Sequence, residues 1–494
     1  AYCPTARTEL QLDVTQKTLS RTLPSRTHRT SIRRYSENTV THIAQPIVEQ
    51  PDRPERKQIM IFHDITTLDT EGNTRKHQTV ITAGAFIRSI APCKGTIEEA
   101  RQSEDDVYDG TGKLLIPGFF NNHSHVPMTL TRGYGEGLLL QAWLYDRIFP
   151  FETLLTEGDV YWGALLGIAE MLRGGTVSFT DMYMRLGGIS RAVIESGIKA
   201  NISNGLNGDD STILDETAWY RETETVIKDA ATSGGRLIAD ASLHAQYTST
   251  PHVVEQLVRY AKDRQLNMHV HLSETEGEHR SCKEKYGKTP TRYFYDLGLF
   301  DVPTSAAHAI FIEDEDYPLL LEKGVTLTHM PSCNLKIGSG IADIKKWHDH
   351  GINVTIGTDG AGSNNNLDMI EEVTWASYIA NGIHRNPVTF TSGELLSFAT
   401  RNGALAQGRR DTGLLKEGYR ADLAVVDMNA LHFQPHYDLG TSLFTSANAS
   451  DVCLTMVDGK VLYRDGNFTT IDIEKVIANA THCRDEKLAA LGKV

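Results

Sequence analysis

The chain has 494 residues, 40% of them hydrophobic and 23% charged, with a formal net charge of −14 at pH 7. That is the balance of a soluble globular protein with room for more than one structural unit, and its acidity argues against a surface built for nucleic-acid phosphates. No apolar run approaches the ~20 residues of a membrane helix. The six cysteines are scattered without any Cys-x-x-Cys spacing, which reads as reduced thiols of a cytoplasmic protein.

Residues 1–56 differ from the rest. Arg21, Arg26, Arg29, Arg33 and Arg34 stand among serines and threonines, with no acid between Lys17 and Ser36. This composition predicts a disordered or loosely docked N-terminal extension, with a transit peptide as the alternative. Residues 57–114 carry short alternating strands at 58–62, 79–82 and 85–90, separated by turn residues. The same texture returns over 415–470, where Asp458-Gly459 divides two apolar runs in the manner of a hairpin. The two ends are therefore predicted to form one composite β-sandwich.

Between them, residues 115–414 alternate strand and helix signals. Strands are predicted at 115–120, 176–181, 199–204, 237–244, 267–272, 304–310, 325–329 and 352–359. Helices are predicted at 161–173, 251–264, 287–297, 314–323 and 341–350. Eight strands with intervening helices predict an α/β fold, a (β/α)8 TIM-like barrel, with a doubly wound open sheet as the competing arrangement. A surface helix is predicted within 471–494.

Polar residues collect where these strands end. His123-x-His125 follows the apolar run ending in Pro117-Gly118, and period-two geometry aims both imidazoles to one side. Alone, such a pair is a weak signal. His271, with Glu274 three residues on, His308 and Asp359 each follow a later apolar run. Strand ends are where a barrel opens its mouth. Three imidazoles and a carboxylate suit a divalent transition metal with one position left for water.

The segments around 117–133, His271–Glu274, Ala307-His308, 329–338 and 357–366 run in one order through the chain. In that order the sequence resembles the amidohydrolase superfamily, in its mononuclear-metal deaminase branch. It is most similar there to the 5-methylthioadenosine/S-adenosylhomocysteine deaminases, with triazine chlorohydrolases as relatives. The resemblance covers roughly residues 57–468. It implies one divalent metal, Zn2+ first with Fe2+ or Mn2+ as alternatives, held by His123, His125, His271 and Asp359. It further implies that Glu274 carries protons to the ring nitrogen and the leaving amine, that His308 polarises the attacking water, and that Asp359 takes a proton from it. No lysine stands where the binuclear branch places a bridging one. The implied activity is hydrolytic deamination of an aminopurine nucleoside, metal-bound hydroxide attacking the amine-bearing carbon and ammonia leaving. The alternatives are dechlorination or dealkylamination of a triazine-like ring, and a catalytically silent scaffold. A homodimer or tetramer is what the family suggests.

Pocket residues follow from the same resemblance. Glu152 matches a ribose-hydroxyl position and His244 a pocket histidine; Trp143 is a candidate lining residue. Where the S-adenosylhomocysteine-binding members use two arginines for the amino-acid carboxylate, this chain has Asn204 and a stretch near Ile213 without a basic group. An amide cannot form the bidentate charged pair of a guanidinium, so a neutral nucleoside is the expected substrate. Gly338-Ser-Gly340 lacks the strand-to-helix setting of a dinucleotide site. Cys333 reads as a loop thiol, Glu313–Asp316 as a solvated helix start, and His348 and His384 as surface residues.

Overall fold

The computed structural model describes residues 59–102 and 105–493; the predicted N-terminal extension lies outside them. Among the described residues, strands from both chain ends build one nine-stranded sheet. They are β1 (Ile59–Leu68), β2 (Thr74–Ala83), β3 (Phe86–Pro92), β4 (Asp106–Asp109) and β5 (Lys113–Pro117) from the first part. The nine barrel strands intervene, and β15 (Leu423–Asp427), β16 (Val452–Val457), β17 (Lys460–Arg464) and β18 (Asn467–Phe468) complete the sheet. The seam between the two ends is the antiparallel pairing of β5 with β15, with Pro117 opposite Leu423 and Lys113 opposite Asp427. Met60, Phe62, Val80, Leu115, Val425 and Met456 pack into the core of this sandwich.

The barrel consists of β6 (Phe119–Ser124), β7 (Thr176–Met182), β8 (Lys199–Ser203), β9 (Leu237–Ala239), β10 (Ala241–Leu243), β11 (Met268–Leu272), β12 (Thr304–His308), β13 (Thr326–His329) and β14 (Asn353–Ile356), all paired in parallel. β9 and β10 are one predicted strand interrupted at Asp240, whose buried carboxylate accepts from Asn201 and Asn267. The ring closes where the Asp359 N–H donates to the His123 carbonyl at 2.9 Å. That approach requires Gly357, because a Cβ there would lie 2.7 Å from the His123 nitrogen.

One predicted strand divides. Residues 115–120 do not form a single barrel strand: the chain leaves the sandwich at Pro117 and enters the barrel at Phe119. Proline supplies no N–H for the ladder. A Cβ at Gly118 would sit 2.2 Å from Val177 Cγ1, so only glycine fits the crossing. Lys199, at the start of β8, is buried and pairs with Asp422 at 2.5 Å and Asp458 at 2.7 Å. It ties the barrel to the sandwich, at the opposite end of β8 from the barrel mouth. The C-terminal helix Ile473–Ala490 packs on helix Glu157–Arg173, with Lys487 paired to Asp159 at 3.0 Å. Among the described residues no helix is long and apolar enough to cross a membrane.

Two local expectations are corrected. Asp316 is not solvated: it is fully buried and accepts the Thr289 hydroxyl at 2.6 Å. Cys333 lies on the short helix Pro331–Lys336 and is buried; burial, helped by the nearby Asp359 and Glu274 carboxylates, holds its thiol well above the usual range, which makes it unreactive.

Candidate metal centre and its cavity

β6 delivers His123 to the barrel mouth and His125 follows its last residue, β11 delivers His271, β12 ends in His308, and Asp359 follows β14. His308 (φ 69°) and Asp359 (φ 61°) are both left-handed. That conformation is costly for residues with a Cβ and recurs at functional sites.

The donor atoms converge. His125 Nε2 lies 3.3 Å from Asp359 Oδ1, His123 Nε2 lies 3.5 Å from the same oxygen, and His271 Nε2 lies 3.4 Å from His125 Nε2. Zinc–nitrogen bonds of ~2.0–2.1 Å set tetrahedral edges of about 3.3–3.4 Å. His123, His125 and His271 form one group able to hold an ion, and His123, His308 and Asp359 another that overlaps it. His123 Nε2 is buried without a hydrogen-bond partner, as a lone pair reserved for a cation would be. The residues therefore fit one divalent ion.

Each imidazole is steered through its other nitrogen. His125 Nδ1 donates to the Met182 carbonyl at 2.5 Å and His271 Nδ1 to the His244 carbonyl at 2.7 Å. His123 Nδ1 meets His269 Nε2 at 2.8 Å. Such bonds fix which nitrogen faces the ion. Burial lowers His123 to about 4 and His271 well below its ordinary value, so both are neutral at pH 7, as imidazoles able to hold a cation must be. Burial would raise Asp359, but the imidazoles of His123, His125 and His308 around it outweigh burial and hold the carboxyl well below the usual range.

Glu274 and His308 stand beside this cluster, with His308 Nε2 3.9 Å from Glu274 Oε2. Ser339 Oγ donates to Glu274 Oε1 at 3.3 Å, and Asn334 Oδ1 faces His308 Nδ1 at 2.9 Å. Burial raises Glu274 above the ordinary carboxylic range. His308 is raised despite its burial, through the charges of Glu274 and Asp359.

Above them opens a cavity of about 810 Å3, within the usual range for small-molecule sites. Glu152, His244, Asn204 and Trp143 all line it, together with His125, His271, Glu274, His308 and Asp359. Glu152 is buried, and burial pushes its carboxyl up to about 7 against the pull of the Tyr183 hydroxyl. The Asn204 amide nitrogen is committed to Glu222 at 3.1 Å. His244 Nδ1 lies 3.2 Å from Thr248 Oγ1. The Trp143 indole donates to the Tyr134 carbonyl at 3.2 Å. No lysine or arginine is among the residues lining the cavity.

Sequence reasoning missed His269, Asn334, Ser339 and Glu278, whose Oε2 accepts the Glu274 N–H at 2.8 Å. For His269 a signal existed: His269-Val-His271 repeats the period-two pattern of His123-Ser-His125, so both imidazoles face the barrel interior.

The amidohydrolase family's sequence model matches residues 114–462. A 5-methylthioadenosine/S-adenosylhomocysteine deaminase of Dictyoglomus thermophilum is 42% identical over 379 residues, 76% of this chain and 88% of its own. A 5'-deoxyadenosine deaminase of Methanosarcina mazei is 36% identical over 431 residues, 86% of this chain and 97% of its own. Among solved structures, an adenosine deaminase from Xanthomonas campestris with bound zinc superposes with a TM-score of 0.80 at 27% identity, covering 88% of this chain and 99% of that one. The zinc complex of atrazine chlorohydrolase from Arthrobacter aurescens superposes with a TM-score of 0.76 at 21% identity, covering 86% and 100%, a likeness of fold alone.

Proposed function

Because the chain belongs to the amidohydrolase family, we propose that its cavity deaminates adenine nucleosides whose 5′ substituent carries no charge, at a centre holding one divalent ion, zinc before iron or manganese. The class of reaction is metal-dependent deamination of nucleosides of the 5-methylthioadenosine and S-adenosylhomocysteine type. The observation that carries it is the convergence of His123, His125, His271 and Asp359 beneath a nucleoside-sized cavity with Glu274 and His308 at its floor.

A divalent ion at this centre supplies a Lewis acid that brings the pKa of water from near 16 to ~7 and so provides hydroxide at neutral pH. The side chains do the rest. His123, His125 and His271 present neutral Nε2 atoms, and Asp359 presents a carboxylate that accepts a proton from the attacking water. His308 Nε2 holds that water against the amine-bearing carbon. Glu274, whose carboxyl burial raises above its ordinary range, donates a proton to the neighbouring ring nitrogen; the ring then accepts electron density without building a full negative charge. The ionised Glu274 then takes the proton of the new hydroxyl group as the carbonyl forms and passes it to the amine, which leaves as ammonia; the proton taken up by Asp359 returns to Glu274 through water.

Glu152 suits a ribose hydroxyl. Its ionised form accepts O–H bonds more strongly than its neutral form, and burial sets its titration near 7. KM for a ribonucleoside is therefore expected to fall severalfold from pH 6 to pH 8, while Glu152→Gln flattens the curve. A flat profile for the unaltered enzyme would remove Glu152 from the ribose site.

A wall without lysine or arginine among the described residues supports a substrate with a neutral 5′ substituent. An amino-acid carboxylate entering this cavity finds Asp209 but no cation among the described residues. A lost hydrogen bond to a charged group costs ~1.5–3 kcal/mol, or about 10–150-fold. We expect kcat/KM for 5-methylthioadenosine and 5′-deoxyadenosine to exceed that for S-adenosylhomocysteine by that factor, read as ammonia release. Equal values would overturn the neutral-substituent part of the proposal and leave the deaminase standing.

A further inference from the structure

Glu372 lies on helix Met369–His384 and is fully buried, outside the residues that line the cavity. Its two carboxylate oxygens serve two different loops. Oε2 accepts the Ser332 N–H at 3.2 Å, at the start of helix Pro331–Lys336 after β13. Oε1 accepts the Asn364 amide at 2.6 Å, in the loop after β14. The same amide donates to the carbonyl of Thr358 at 2.7 Å, one residue before Asp359.

The segment pinned at Ser332 then reaches two other side chains. Asn334 faces His308 Nδ1 at 2.9 Å, and its own carbonyl accepts the Ser339 N–H at 2.9 Å. That turn places Ser339 Oγ 3.3 Å from Glu274 Oε1. One carboxylate thus stands behind the loops that orient His308, Glu274 and Asp359. Capping the short helix at Ser332 needs a single acceptor. The second oxygen, aimed at Asn364, links the two loops and is unexplained by capping.

We infer that Glu372 is a positioning residue for the deamination, acting through Asn334 on His308 and through Asn364 on the Asp359 loop. The inference rests on the reading of His308 and Glu274 as the proton-handling pair. With Asn334 Oδ1 accepting from Nδ1, the His308 ring is held with Nε2 toward Glu274. Without that bond the ring is free to turn, or to carry its proton on the other nitrogen.

The test compares Glu372→Ala, Asn334→Ala, their double variant and His308→Asn in the metal-loaded full chain, by steady-state ammonia release from 5-methylthioadenosine, metal content and melting temperature. Losses typical of groups that orient an active-site residue are ~10–100-fold. Each single alanine variant should lose kcat by that factor, with KM within about threefold and metal content unchanged. Two residues on one path are non-additive, so the double variant should fall far short of the product of the two losses. Glu372→Gln, which keeps one acceptor, should lie between the alanine variant and the unaltered enzyme. Unchanged kcat in Glu372→Ala and Asn334→Ala, with or without a lower melting temperature, overturns the inference while an inactive His308→Asn leaves the reaction reading intact. An active His308→Asn overturns that reading instead. Should Glu372→Ala fail to fold, Glu372→Gln and Asn334→Ala decide by the same criteria.

Discussion

Glu274→Gln is expected to keep its metal and its fold and to release ammonia about 10²–10⁴-fold more slowly than the unaltered enzyme, the span that a single positioned acid–base group contributes. Glutamine has nearly the shape of glutamate and can still accept from Ser339 Oγ, as Glu274 does at 3.3 Å. It cannot deliver a proton to the ring nitrogen, nor take one up for the departing amine. The loss should fall on kcat, because the carboxyl acts on charge that develops only as the ring carbon is attacked. At ~1.4 kcal/mol per tenfold, the effect amounts to about 3–5.5 kcal/mol of barrier. Burial is what fits Glu274 to this work: it holds the carboxyl above its ordinary range, the nearby Asp359 charge adds to the rise, and His308 opposes it. Initial rates of ammonia release, with metal content measured on the same sample, check the prediction. A glutamine variant that turns over at the original rate would remove Glu274 from the mechanism.

The second large effect is expected at His123. It is fully buried, and its Nε2 lies 3.5 Å from Asp359 while its Nδ1 lies 2.8 Å from His269. His123→Ala removes a proposed ligand and also leaves the buried His269 Nε2 without its partner. Leaving a buried polar group unsatisfied costs ~1–3 kcal/mol. The variant should therefore lose bound metal on dialysis, fall to background ammonia release and melt at a lower temperature. Asp359→Asn keeps the shape and discards the charge, so it should lose metal and activity with a smaller loss of stability. A His123→Ala protein that retains one equivalent of metal after dialysis would show that the ion sits elsewhere.

The residues that converge at the barrel mouth are legible in the sequence because they obey local rules. His123 and His125 are two residues apart at a strand end, His271 and Glu274 are three residues apart, and Asp359 follows an apolar run. The supports are harder to read. His125 and His271 are steered by the carbonyls of Met182 and His244, and a backbone carbonyl leaves no trace in residue identity. Asn334 and Glu372 lie on helices between which no periodicity connects, and only the closed barrel brings their loops together. Among the strands, Pro117-Gly118 announces a break, yet the sequence does not say that the chain changes sheets there. At Asp240, where the predicted strand is interrupted, a buried carboxylate accepts from Asn201 and Asn267, partners that lie 39 and 27 residues away in the chain. The solvated reading of Asp316 misses its Thr289 partner, 27 residues earlier in the chain.

The most direct measurement is a metal titration of protein stripped by chelation, with zinc added in steps and ammonia release from 5-methylthioadenosine followed at each step. The stripped protein should be inactive, and activity should rise linearly to a plateau at one equivalent of zinc per chain. Undiminished ammonia release from the stripped protein would contradict the account.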